Sequence, residues 1–258
     1  MRLLFGLFTI SAGFILASIH LEQGAKSYWD FVAFFVVVFG TLSVMLITRP
    51  QLKFSVVLKY IKRGIFGSST TTQKFVADCV LVATRVKDAP SDKTIECQFL
   101  RDGQELMSLG FSFEKIENIL SLRYQNYAKT ITNIANWLRK NSKYPPAFGL
   151  AGTVLGLIHL MRGISDGINP QETGIRMAVA LVATFYGLII SNIFLNPIGE
   201  LLIERLKHDE EKAEIAIHTI EMLMKKSSAI EVQEELNSYI EPENKMNILS
   251  AIPIEEMV

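Results

Sequence analysis

Four stretches of the chain, residues 3–21, 31–48, 144–161 and 177–199, run apolar without a single Asp, Glu, Lys or Arg. A helix rises 1.5 Å per residue, so roughly 20 apolar residues cross a hydrocarbon core of about 30 Å, and each stretch predicts a transmembrane helix. This pattern excludes a simple soluble domain. Between the second and third stretches the pattern turns amphipathic. After the polar run Ser68–Thr72, the residues Phe75, Val76, Cys79, Val80, Val82, Ala83 and Val86 recur at helical spacing. A second helix is expected over residues 92–109, with Ile95, Phe99, Leu100, Leu106 and Met107 on its apolar side and Gly110 as its stop. From Glu114 onward Ile116, Ile119, Leu120, Tyr127, Ile131, Ile134 and Leu138 form one stripe leading toward the third apolar run, and residues 200–226 prolong the fourth. The closing stretch, with Pro242 and Pro253 among mixed charges, has the composition of a disordered tail. No strand-period segment or internal repeat competes. The fold class is all-α: a polytopic membrane protein with four transmembrane helices and a helical cytoplasmic domain. Its parts are residues 1–48 (helices one and two), 49–143 (a cytoplasmic helical loop), 144–199 (helices three and four) and 200–258 (a cytoplasmic extension and tail).

Charge sets the orientation. The 26 basic and 26 acidic side chains cancel overall, but residues 49–143 hold 16 basic against 8 acidic, with Arg49, Lys53, Lys59, Arg139, Lys140 and Lys143 crowding the apolar runs. The positive-inside rule makes this loop cytoplasmic. The connections around Glu22, Lys26 and Asp30, and around Arg162, Asp166, Glu172 and Arg176, then face outward, with both termini inside. Residues 200–258 carry 6 basic and 14 acidic groups, so the tail is expected to attract the loop.

Two faces in the apolar runs carry candidate chemistry. At 100° per residue, with Gly156 as origin, Gly149, Gly152 and Thr153 fall at about +20°, −40° and +60°. By the same arithmetic Ala180, Thr184, Gly187 and Ser191 share an arc of about 60°. Each helix thus presents small residues plus hydroxyls. Such faces serve close helix packing, and a threonine there can bond back to its own helix or offer an oxygen to something else. With no ionisable carboxylate in any apolar run, a chain that conducts cations needs that group from a partner helix. Cys79, Cys97 and the four histidines fit no metal or catalytic spacing, and the chain is not expected to be an enzyme.

The block Pro145-Pro146-Ala147-Phe148-Gly149-Leu150-Ala151-Gly152-Thr153-Val154-Leu155-Gly156, the run Met177 to Gly187, and Ser191-Asn192 through Asn196-Pro197 resemble the MotA/PomA family of flagellar motor stator proteins, within the MotA/TolQ/ExbB proton channel superfamily. The resemblance implies a homopentameric ring in the bacterial inner membrane around a MotB/PomB-type single-span partner, whose Asp carries the ion. The ring works on a flagellar rotor switch protein. No bound cofactor and no nucleic acid are implied; the transported species is H+ or Na+. Matched residue by residue, Pro146 and Pro197 are the prolines of conformational coupling, and Thr153 and Thr184 line the ion path. Ala183 stands beside Thr184 where sodium-driven members have a Thr. The hydroxyl of Thr153 leans the reading toward sodium, because a hard cation takes oxygen ligands. In the loop, a gapped match assigns rotor contact to Arg85, Lys87 and Glu96, whereas an ungapped one puts Ser91 at the acidic position. The alternative is a TolQ/ExbB-like energiser acting on a non-flagellar envelope partner, and a scaffold that packs a partner without conducting is a third reading.

Overall fold

The computed structural model describes residues 6, 9, 12, 30–49, 52–67, 71–83, 94–167, 169–245 and 247. Of the first apolar run only Gly6, Thr9 and Ala12 are included, each helical. Arg85, Lys87, Ser91 and Val86 lie outside the described residues, as does the end of the tail. Every regular element among the described residues is helical. In chain order they are α1 (Phe31–Ile47), α2 (Phe54–Phe66), α3 (Thr72–Ala83), α4 (Ile95–Ser108), α5 (Phe113–Asn141), α6 (Tyr144–Ser165), α7 (Pro170–Ile189), a π-helical segment Ile190–Leu195, α8 (Asn196–Lys225) and α9 (Ala229–Asn237), with a 3-10 turn at Pro242–Asn244.

The chain divides into two compact units, one made of Met1–Ile65 and Thr132–Ile203, the other of Phe66–Ile131 and Glu204–Val258, each as far as its residues are described. The first unit is built on α1, α6 and α7. Two helical stretches, Phe113–Ser165 and Pro170–Lys225, contain windows long and apolar enough to cross a membrane, and α1 is a shorter apolar helix. Asp30 starts α1 as its N-cap, the carboxylate accepting from the Ala33 N–H at 2.6 Å while its own N–H donates to the Tyr186 hydroxyl of α7 at 3.2 Å. The inner side of α1 is thin: Ala33 and Val37 pack on Ala183, with Tyr186 and Ile190 around them. Its other faces, with Phe31, Val32, Phe39 and Leu46, stay exposed, as do Leu150 and Leu155 of α6. Contiguous apolar surface of this kind is suited to lipid or to neighbouring chains rather than to water.

The second unit has a conventional core. Phe75, Val76 and Cys79 of α3, Leu100 of α4 and Ile116 and Leu120 of α5 meet Ile215 and Ile220 of α8 and Leu236 of α9. These are the stripes that the helical spacing marks in the loop, completed by the tail. The end of α4 shows why Gly110 stops it. Gly110 adopts φ +79°, the Phe111 N–H reaches back to the Leu106 carbonyl at 3.3 Å, and the Gly110 N–H bonds Met107 at 3.0 Å. This C-terminal motif needs a left-handed residue that only glycine adopts without cost. α9 starts on a capping box in which Ser228 and Glu231 satisfy each other's backbone N–H.

Loop and tail meet in this core, and the ion pair buried there has the signs reversed from the gross charge pattern. Lys212, from the acidic tail, reaches Glu96, from the basic loop, at 3.3 Å, and the two side chains are only 2% and 4% exposed. Removing one partner of such a buried pair strands the other charge. Lys212→Ala is therefore expected to cost about 3–5 kcal/mol, whereas Lys212→Met combined with Glu96→Leu recovers most of the loss, read as thermal unfolding of the purified protein. Burial also pushes the Cys79 thiol up to about 12, partly offset by its hydrogen bond with Thr219. The reactive thiolate is therefore scarcely populated near neutral pH. Maleimide should accordingly leave Cys79 unlabelled in the folded protein and label it only after denaturation.

Candidate functional site

The site is built where α6 and α7 lack side chains between them. A Cβ placed on Gly149 would stand 2.8 Å from the Ala183 carbonyl oxygen and 2.9 Å from the Thr184 Cα. At Gly152 it would meet the Ala183 methyl at 2.8 Å, and at Gly156 the Ala180 methyl at 2.6 Å. Gly187 answers from α7, its hydrogen face lying against the Pro145 carbonyl and 2.9 Å, for a Cβ, from the Pro146 Cα. The small faces expected from the sequence are thus the α6–α7 contact itself, and backbone meets backbone along it.

This approach brings the two threonine hydroxyls together. Thr153 Oγ1 lies 2.6 Å from Thr184 Oγ1, 3.0 Å from the Ala180 carbonyl and 3.1 Å from the Gly149 carbonyl of its own helix. A hydroxyl has one proton and two lone pairs. When Thr153 donates to either carbonyl, the proton between the threonines must come from Thr184, whose oxygen then keeps acceptor capacity for a further donor or a cation. Four oxygens converge here between otherwise apolar stretches of the two helices. The arrangement can ligate a hard cation or relay a proton, but it cannot hold a compensating negative charge. Ala183 is buried beside it, its carbonyl against Gly149 and its methyl against Gly152.

Below this pair lie two interruptions caused by proline. In an unbroken helix the Ser142 carbonyl would accept from the N–H of residue 146, and Pro146 has none. Helix α5 ends at Asn141, α6 begins at Tyr144, and only Ser142 and Lys143 lie between. The stripe along α5 therefore reaches the third apolar run through a break rather than through one continuous helix. The Ser142 carbonyl is bonded instead by the Ser191 hydroxyl at 2.5 Å. Asn141, also buried, gives its side-chain N–H to the Trp137 carbonyl at 2.7 Å and accepts from the Thr48 hydroxyl at 2.9 Å, which fastens the end of α1 to the same turn.

On the other strand of the hairpin, Pro197 cannot donate to the Ile193 carbonyl. The helix widens ahead of it into the π-helical segment Ile190–Leu195, where the Asn196 N–H bonds the Ser191 carbonyl, five residues back. The kink expected from Pro197 takes this form: an inserted π turn that lets the chain continue into α8. Neither the π turn nor the role of Ser191 was anticipated from the sequence. The signal for Ser191 was present, since a proline at 146 leaves an acceptor at 142 in a partly buried turn that must find another donor.

The loop residues divide differently. Glu96 sits in the first turn of α4 with its carboxylate turned into the second unit onto Lys212, so its charge is spent inside the chain rather than offered at a surface. At the far end of α6, His159 Nε2 is 3.4 Å from Arg176, which pairs with Glu172 at 2.6 Å. Exposed pairs of this kind contribute little to stability. In the second unit Tyr124 donates to the Leu206 carbonyl at 3.2 Å, and burial, followed by the charges of Glu210, Asp209 and Glu214, holds its hydroxyl well above the ordinary tyrosine range.

The sequence model of the MotA/TolQ/ExbB proton channel family matches residues 91–215. Motility protein A of Borreliella burgdorferi is 24% identical over 255 residues, spanning 94% of this chain and 95% of that protein. Two solved structures share the fold. MotAB of C. jejuni superposes with a TM-score of 0.80 at 15% identity, covering 94% of this chain and 96% of that one. The flagellar MotAB stator complex of Bacillus subtilis gives 0.76 at 18% identity, covering 95% and 98%.

The close approach makes a specific prediction. In Gly149→Ala the new methyl meets backbone atoms that cannot rotate away. The substitution should destabilise the α6–α7 pair by about 1–3 kcal/mol. Gly174→Ala, with open space around it, should not. Thermal unfolding of the two variants in detergent compares them directly.

Proposed function

We propose that the chain is a member of the MotA/TolQ/ExbB proton channel family and acts as a MotA-type stator subunit of an ion-driven rotary motor, coupling cation flow across the bacterial inner membrane to torque on a flagellar rotor. The observation that carries this reading is the Thr153–Thr184 hydroxyl pair set between two closely packed apolar runs, residues 144–161 and 177–199, that hold no carboxylate of their own. Oxygens alone are half of a cation path. The other half, an ionisable Asp, comes in this reading from a MotB/PomB-type partner helix, and several copies of the chain, five in the ring, surround it. The exposed apolar sides of α1 and α6 support such neighbours.

In this reading four spans cross the membrane, the loop and tail lie on the cytoplasmic side with both termini, and the rotor switch protein meets the loop. Arg85 and Lys87 remain candidate rotor contacts. Glu96 contributes by holding the second unit together through Lys212. Pro146 and Pro197 supply the two places where the helices can change direction, which is what coupling ion passage to movement requires. An ion descending about 100 mV releases roughly 2.3 kcal/mol, several times thermal energy and sufficient to bias a step. Both H+ and Na+ are compatible with a hydroxyl pair, and Thr153 favours Na+.

The test is to express the chain with its single-span partner in a non-motile strain lacking its own stator, and to measure swimming speed against sodium concentration. Motility should be restored. Thr184→Val keeps the side-chain shape and removes the hydroxyl, so speed should fall at least threefold while the partner still co-purifies. Thr153→Ala should raise the sodium concentration needed for half-maximal speed. Unchanged motility in Thr184→Val would remove the hydroxyl pair from the path, and speed independent of sodium before and after Thr153→Ala would assign protons instead.

A further inference from the structure

Ser191 stands at the meeting point of both proline interruptions, and nothing in the hydroxyl pair above it requires a serine there. Its side chain is buried, and its hydroxyl donates at 2.5 Å to the Ser142 carbonyl, the acceptor that Pro146 deprives of a helical N–H. Its own carbonyl accepts the Asn196 N–H across the π turn that precedes Pro197. One residue therefore satisfies the break on one helix with its side chain and the break on the other with its backbone. Gly187, one turn earlier, allows the approach by leaving room for Pro145 and Pro146.

We propose that Ser191 is a positioning residue that makes the two proline breaks act as one joint. Converting a π turn to α-helical register re-phases the chain on one side of it by one residue, about 100°. Ser191 lies inside that turn, so a register change there withdraws its hydroxyl from Ser142 and leaves a half-buried carbonyl without its protein donor. The loss of that hydrogen bond opposes independent movement of the two breaks. A shift at Pro197 is thereby passed to the turn between α5 and α6, and the reverse. Thr153 and Thr184 would bind or pass the ion; Ser191 would transmit its consequence without touching it.

This inference rests on the stator reading, and the experiment separates the two. The full chain is co-expressed with its partner as wild type, Ser191→Ala, Ser191→Thr, Pro146→Ala and the Pro146→Ala/Ser191→Ala double variant. Rotation speed is measured against ion concentration, and the unfolding temperature is measured on each purified complex. Ser191→Ala should lower maximal speed about fivefold and move the half-saturating ion concentration by less than twofold, and Ser191→Thr, which keeps the hydroxyl, should retain at least half the speed. Ser191→Ala should also lower the unfolding temperature by roughly 2–4 °C. In the Pro146→Ala background it should lower it by less than 1 °C, because the N–H restored at residue 146 then serves the Ser142 carbonyl. Wild-type speed in Ser191→Ala, a main effect on half-saturation, or an equal fall in unfolding temperature in both backgrounds would each overturn the joint. If the wild-type chain drives no rotation, the stator reading fails, and the unfolding temperatures still decide whether Ser191 replaces the donor that Pro146 lacks.

Discussion

The architecture depends on how closely the backbones of α6 and α7 approach. Gly149, Gly152 and Gly156 on one helix and Gly187 on the other leave no volume for a side chain at their contact points. In a hydrocarbon setting there is no aqueous driving force to press helices together, so association rests on dispersion contacts and on polar groups that find partners across the seam. Both are supplied here by the same geometry. The approach that maximises backbone contact also sets two partly buried hydroxyls 2.6 Å apart. Packing and chemistry are consequences of one distance.

A second requirement follows from the apolar surroundings. Every backbone polar group there must be satisfied within the protein, and each proline removes a donor. The chain meets this by two different means. At Pro146 the missing donor is replaced from another helix by Ser191, while Asn141 and Thr48 secure the adjoining turn. At Pro197 the helix changes its own hydrogen-bond register. The first solution ties neighbouring elements together; the second keeps one element continuous through a change of direction.

How much of this was legible in the sequence varies with the kind of signal. Helical periodicity marked α3 and α5 well, because burial selects the same face that spacing predicts, and Gly110 marked the end of α4. The small faces of α6 and α7 were readable for the same reason. The Thr153–Thr184 contact was not, since angular position on each helix says nothing about their relative height. Summed charge predicted attraction between loop and tail, but the buried pair joins a lysine of the acidic segment to a glutamate of the basic one. Gross charge acts at long range, whereas a buried pair is chosen by the two side chains that the packing places face to face. The π turn leaves no periodic trace at all, because one inserted residue shifts the phase too little to register in a run that is apolar on every side.

The core of the second unit has a bearing on how the protein is made. It joins Phe75 through Leu120 with Ile215 through Ile240, so a stretch including α6 and α7 is translated between its two halves. At bacterial or eukaryotic elongation rates of about 5–20 residues per second, the first half waits on the order of 6–24 s for the second. During that interval Phe75, Leu100, Ile116 and Leu120 have no tail to cover them. Biogenesis must therefore shield an unfinished helical subdomain while the intervening apolar hairpin is made, and the subdomain can close only once the tail has followed it.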